Sequence, residues 1–475
     1  MSSETASVLS MLPVSARISD VRTGREMSAS DIGRAARKGA VELSALGLDH
    51  GARIVVSESD GIDFLIALFA CWEAGFVAVG VNSALTGAEQ ENVIEATGAR
   101  HWIGERRCDM PQPDPDTASA AMPLGLDEPA LILMTSGTTG RPKGIVHSRR
   151  SLLVRISLNI AEIGRDTLSQ VLCVLPVFFG HGLIGNCLTP LFAGGHVHIW
   201  TVPDMSEMRG LSSVVETRRI GFMSSVPSFW KIALRVSDSP SIPMTRIHVG
   251  SAPLSIGQWR DIAKWGGTDN VFNMFGMTET ANWIGGGSLR DDRACDGYVG
   301  PIWGGALAVR DENGHISGQG RGEVLVQTPS IMLGYWQRPD LQTEAFCDGW
   351  FRTGDTGKID EEGHLVLAGR IKSEINRGGI KVQAEEVDMM LERHADIAEA
   401  CAFGIPDPVA GEAVAAAVVL KPGSDFDAEA IKAWCRTQAR ADAVPSRLYK
   451  LDAIPRNDRG KIVRADVRNL VADET

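Results

Sequence analysis

The stretch Leu131-Ile-Leu-Met-Thr135-Ser-Gly-Thr-Thr-Gly140-Arg-Pro-Lys143-Gly144 decides the reading of this chain. Four apolar residues form a buried strand. Directly after them come four hydroxyl residues and three glycines in ten positions, with a lysine near the end. Glycine lets a backbone bend tightly and approach a ligand closely, and freed amide groups with hydroxyls can surround phosphate oxygens. Lys143 adds the positive charge. The pattern is not a Walker A loop, which needs Gly-Lys followed by Ser or Thr; here Pro142 precedes the lysine and Gly144 follows it. A plain surface loop has no reason to gather so many phosphate-compatible residues behind a buried strand.

On either side of this loop, strand-like runs alternate with helical patterns. Ala52–Ser57, Val77–Val81, Val171–Leu175, His196–Trp200 and Gly221–Ser224 read as strands, with Ile62–Ala74 and Ala88–Thr97 as helices. That alternation predicts an α/β fold of parallel, doubly wound sheets. From about 297 to 369 turn pairs such as Asn313-Gly314 and Glu362-Gly363 separate short strands, which predicts an antiparallel, β-barrel-like part. The rest reads as a small α+β domain: helices Glu385–Arg393 and Ala428–Ala439, strands Ala400–Ile405 and Ala413–Leu420. The expected division is 1–370 and 371–475, with the boundary at Gly369–Ser373. Residues Arg107–Asp127, rich in Pro, Asp and Ala, read as a surface connection.

With 475 residues the chain suits two or three domains. Its net charge of −12, without a basic tract, argues against a nucleic-acid partner. The eight cysteines are scattered with no Cys-x-x-Cys, which points to reduced thiols rather than zinc ribbons or disulfides. The start lacks a signal peptide, and the longest apolar run, Phe64–Trp72, is far short of the ~20 residues of a membrane span. These features predict a cytoplasmic protein.

The loop resembles the signature of the adenylate-forming superfamily of acyl-CoA synthetases, aryl-CoA ligases, adenylation domains and luciferase. Four further stretches resemble its motifs in the same order: Asn273-Met-Phe-Gly-Met-Thr-Glu279, Gly349-Trp-Phe-Arg-Thr-Gly-Asp355, Gly369-Arg-Ile-Lys372 with Asn376-Arg-Gly-Gly379, and Pro455-Arg-Asn-Asp-Arg-Gly-Lys461. The resemblance runs from about Gly51 to Arg464. It implies ATP, Mg²⁺ and coenzyme A as cofactors, a small-molecule carboxylic acid as substrate, and acyl-AMP followed by a thioester as products.

Residue by residue, the resemblance places Thr135, Ser136, Gly137, Thr138, Thr139, Gly140 and Lys143 around the phosphates. Thr278 would donate to the α-phosphate and Glu279 would hold Mg²⁺, a hard ion that combines carboxylate and phosphate oxygens. Asn273 and Phe275 are expected beside the adenine, with Ser251, Ala252 and Pro253 as a small-residue turn against it. Asp355 suits the ribose hydroxyls, and Arg370 lies near ribose and phosphates. Lys461 is expected to bridge the substrate carboxylate and the phosphate. Lys372 marks a hinge, and Gly378 and Gly379 leave room for the pantetheine arm of coenzyme A.

Two departures stand out. Ala384 replaces a common proline after the hinge. Phe179, in Leu175-Pro-Val-Phe-Phe-Gly-His181, occupies a position that is often histidine in acyl-CoA synthetases and aspartate in enzymes for amino acids; the pair Phe178-Phe179 resembles benzoate-type ligases. With His181 and Trp230 these rings are the expected acyl pocket, but His181 reads equally well as a satisfied structural histidine and Trp230 equally well as a core tryptophan. Gly285-Gly-Gly287 would leave extra space beside it. The expected acid is compact and benzoate-like or alicyclic. The chain ends 14 residues after Lys461 (475 minus 461), so the acceptor thiol is expected to be external. Coenzyme A is favoured over a carrier protein or an amine, and the intact motifs argue against a silent nucleotide-binding relative.

Overall fold

The computed structural model describes residues 7–109, 122–135, 143–377, 380–457 and 460–472. Two largely parallel sheets dominate it. The six-stranded sheet runs Gly334–Tyr335, Lys143–Ser148, Pro129–Thr135, Val77–Gly80, Arg53–Ser57, His101–Gly104. The eight-stranded sheet runs Asn282–Ser288, Val271–Met277, Arg246–Gly250, Phe222–Ser225, Gln170–Cys173, His196–Ile199, Arg17–Asp20, Glu26–Ser28. Its central strands pair in parallel and both of its outermost strands antiparallel.

The helix Gly61–Glu73 shows why the sheets pack as they do. Asp60 caps it, accepting from the amides of Ile62 and Asp63, and it is apolar almost all round. A helix without a polar face must be covered on every side. Its Phe64, Leu68 and Phe69 join one core with Ile54, Ala78 and Leu133 of one sheet and Ile18, Val197 and Ile199 of the other.

A seven-stranded antiparallel sheet follows between Tyr298 and Arg370, and then a five-stranded sheet with the helices Ala384–Glu392 and Ala428–Gln438. A short turn, Ile371–Ser373, joins them. The fold is thus mixed α/β with a large N-terminal and a smaller C-terminal domain. Among the elements without a counterpart in the sequence reading is His181–Leu188, a π-helix closed by the Thr189 amide on the Ile184 carbonyl. Such turns recur at functional sites because they re-aim side chains.

The extra space expected at Gly285-Gly-Gly287 is absent. These glycines lie in the strand Asn282–Ser288, where a Cβ on Gly286 would come 2.7 Å from Met274 Sδ and one on Gly287 2.6 Å from the Tyr298 ring. They are glycines because neighbours already fill that volume. No described helix is long and apolar enough to cross a membrane. All eight cysteines are free thiols.

Candidate active site

The strand Lys143–Ser148 starts at Lys143, opposite Thr135 at the end of its antiparallel partner. Lys143 Nζ donates to Glu279 Oε1 at 3.1 Å and to the Tyr335 hydroxyl at 3.3 Å, and lies 4.4 Å from the centre of the Tyr335 ring. Tyr335 donates its own hydroxyl to the same Glu279 oxygen at 3.0 Å. Burial and the Glu279 charge push the Tyr335 phenol well above its usual pKa, so it stays a donor. Tyr335 arrives here because Gly334–Tyr335 pairs with the far edge of the lysine strand. The sequence reading missed it, since nothing in its spacing ties it to a motif.

The turn Thr278–Thr280 that carries Glu279 is held on all sides. His147 Nε2 donates to the Thr278 carbonyl at 2.7 Å, the Met332 amide donates to the Glu279 carbonyl at 2.8 Å, and Ser330 Oγ donates to the Thr280 carbonyl at 3.0 Å. Burial lowers His147 to about 4, so the imidazole is neutral and the carbonyl fixes its proton on Nε2. Behind Ser330 lies Arg155, fully buried, which donates to the Ser330 and Thr328 hydroxyls at 2.7 and 2.9 Å. Ala281, next along the turn, has a left-handed backbone with φ of 67°.

Asp355 and Arg370 face each other across antiparallel strands, and Arg370 Nε meets Asp355 Oδ1 at 2.9 Å. Burial pushes the Asp355 carboxyl up, while Arg370 and then Lys461 pull it back. Lys461 is therefore close enough for its charge to act, despite being 106 residues away (461 minus 355). It also acts on His181. Gly460, just before it, meets the N-terminal domain: with φ of 71°, it sits where a Cβ would lie 3.1 Å from Ser228 Oγ. The ion pair Lys231–Glu392, 2.6 Å, joins the same two domains. Lys372 lies exposed in the short turn Ile371–Ser373.

His181 bonds Ser251 Oγ through Nδ1 at 2.9 Å and Ser224 Oγ through Nε2 at 2.7 Å. Burial first, and Lys461 second, lower it to about 3, so it is a neutral ring with both nitrogens occupied. Ser251 reaches it by taking a left-handed backbone, φ 68°. Ala252 and Pro253 continue that turn at the surface. Phe178 and Phe179 meet edge to face at 5.9 Å, both half-buried.

Three expectations change. Trp230 is fully buried, edge to face with Phe229 and Trp265, and belongs to the core rather than to a pocket wall. Phe275 is 4% exposed and packs with Ile284, Val299 and Val324, so it offers no open face to a ring. Asn273 is buried on the same side of its strand, where its amide donates to the Tyr298 carbonyl at 2.9 Å. Strand alternation puts both side chains toward the antiparallel sheet instead of the cleft. Ser136, Gly137, Thr138, Thr139, Gly140, Gly378 and Gly379 lie outside the described residues.

Among the described residues no three His, Cys, Asp or Glu side chains group as a metal cage. Glu279 alone, with Lys143 beside it, fits an ion that brings phosphate and water oxygens with it, as Mg²⁺ does. A cavity of about 1110 Å³, lined by Arg310, Glu323, Lys358, Glu374, Met390 and Arg440, lies between the antiparallel and C-terminal sheets and holds none of these groups.

A family model described as AMP-binding enzyme matches residues 13–336, and one described as AMP-binding enzyme C-terminal domain matches 386–461. The probable CoA ligase CCL9 of Humulus lupulus is 30% identical, covering 89% of this chain and 87% of its own length. The oxalate–CoA ligase of Arabidopsis thaliana is 28% identical over 89% of each. The crystal structure of ATP-bound MatB from Rhodopseudomonas palustris superposes with a TM-score of 0.84 at 28% identity, covering 97% of each chain.

Proposed function

Because the chain belongs to the AMP-binding enzyme family, we propose that it is an acid–thiol ligase working in two steps. A carboxylate oxygen attacks the α-phosphorus of ATP, forming acyl-AMP and expelling pyrophosphate. The sulfur of coenzyme A then attacks the acyl carbon, and the acyl–phosphate bond breaks to give the thioester and AMP, the thiol proton passing to solvent. The first step brings two anions together, so it needs cations and oriented donors at the meeting point.

The observation that carries this reading is the group Lys143, Tyr335 and Glu279 gathered at the end of the loop strand, with Lys461 near enough to Asp355 and His181 for its charge to be felt at both. A cation between the ribose-side carboxylate and the acyl-side histidine can pair with the substrate carboxylate while drawing the α-phosphate to it. Lys143 lies on the phosphate side, and Glu279 would hold Mg²⁺, which neutralises phosphate charge when bound. Asp355, kept in place by Arg370, accepts from the ribose hydroxyls. Ser251, Ala252 and Pro253 edge the adenine side. Neutral His181, saturated by two serines, positions rather than transfers protons.

A panel of carboxylic acids assayed for ATP-dependent pyrophosphate release, with and without coenzyme A, tests the proposal. At least one acid should release pyrophosphate alone, and coenzyme A should convert it to thioester with AMP. Release by no acid, or thioester made with ADP in place of AMP, would contradict it.

A further inference from the structure

His181 heads the π-helix that covers one face of the eight-stranded sheet, and its bonds to Ser224 and Ser251 fix it at the strand ends where Lys461 acts. Behind His181 the space between helix and sheet is filled by rings. Trp283 stands edge to face with His181 at 5.3 Å, then meets His248 at 5.0 Å and Phe222 at 6.5 Å. His248 in turn accepts from Arg246 Nε at 2.8 Å, and Arg246 is tied to the Glu162 carbonyl of the covering helix Arg149–Ile163. Trp283, Phe222, His248 and Arg246 are all buried. The helix backbone presses on the same ring: a Cβ on Gly185 would come 2.6 Å from Trp283 Cη2.

An acyl group lying against His181 meets a stack that runs unbroken from that ring to the covering helix. Interlocked rings of this kind do not part for a methylene chain without losing their edge-to-face contacts. We infer that Trp283, backed by His248 and Phe222, closes the acyl pocket and restricts the enzyme to short or compact carboxylic acids. The inference rests on the reaction proposed above and names a residue that sets its substrate class.

The test is kcat/KM for acetate, butyrate, benzoate and octanoate, read as pyrophosphate release, in the wild type, Trp283→Ala and Phe222→Ala. Octanoate should be the poorest wild-type substrate. Trp283→Ala should raise the octanoate-to-butyrate ratio by about tenfold or more, the low end of what space for methylenes is worth in an apolar pocket. Phe222→Ala, which removes a different member of the stack, should move the ratio the same way. A general loss of packing would lower both acids together and leave the ratio in place. The inference is overturned if wild-type enzyme prefers octanoate to butyrate, or if both variants, folded by circular dichroism, keep the wild-type ratio. Pyrophosphate release with none of the four acids or any of a wider panel would instead remove the proposed reaction itself.

Discussion

Tyr335→Phe removes one oxygen from the group that links Lys143 to Glu279. The lost bond is the 3.0 Å donation from the phenol to Glu279 Oε1. A hydrogen bond to a charged group contributes about 1.5–3 kcal/mol. Lys143 still meets the same oxygen at 3.1 Å, so Glu279 is not left unpaired and the lower half of that range applies. The ring remains under Lys143, which preserves the cation–π contact. About 1.5–2 kcal/mol corresponds to a fall of roughly 10- to 30-fold in rate if the bond holds Glu279 where the transition state needs it. The assay separates the half-reactions: pyrophosphate release at saturating acid and ATP, and thioester formation from acyl-AMP made beforehand. Only the first should fall, because the pyrophosphate that Lys143 and Glu279 would serve has left before the second begins. Unchanged pyrophosphate release, or an equal fall in both steps, would refute the reasoning.

Lys461→Ala should lower pyrophosphate release about 10²- to 10³-fold, the usual effect of removing one oriented donor at a developing charge, and spare thioester formation from pre-made acyl-AMP. Equal loss in both steps would contradict the role given to Lys461. His147 and His181 are held neutral in the fold, at about 4 and 3. Both lie below the unfolded value near 6.5, so their contribution to stability is complete above that pH and is lost as pH falls toward the folded values. By pH 5 each should cost about 2 kcal/mol in urea unfolding, and His181→Asn should remove one proton's worth of the slope; a slope unchanged in that variant would refute the burial argument. Gly276→Ala would put a Cβ 2.3 Å from the Asn282 carbonyl oxygen, a clash with backbone that no rotamer relieves. Melting should fall by the equivalent of about 1–3 kcal/mol, and an unchanged melting temperature would show that the strand pair is not packed as described.

The parallel strands were legible because a doubly buried strand is a short apolar run, and Arg53–Ser57, Val77–Gly80 and Pro129–Thr135 each end within two residues of where pattern alone put them. Helix Gly61–Glu73 was legible for the same reason. The family and the order of motifs also came from sequence, and with them Lys143, Glu279, Asp355 and Lys461 as candidates, because a motif of charged residues at fixed spacing is legible without a fold. The sequence could not say which aromatic side chains face the cleft. Phe275 and Trp230 turned out to be core, while Tyr335 stands beside Lys143 and Glu279, because a ring's role depends on which side of its strand or helix it leaves and what covers that side. The π-helix at His181 was equally hidden, since one extra residue in a turn leaves no mark on the apolar pattern. Sequence determined which chemical groups the protein possesses, because composition and spacing are local. Only the tertiary structure decided which of them meet: the approach of Lys461 to Asp355 and His181, and the bond of Tyr335 with Glu279, are set by strand pairing and domain docking across many tens of residues.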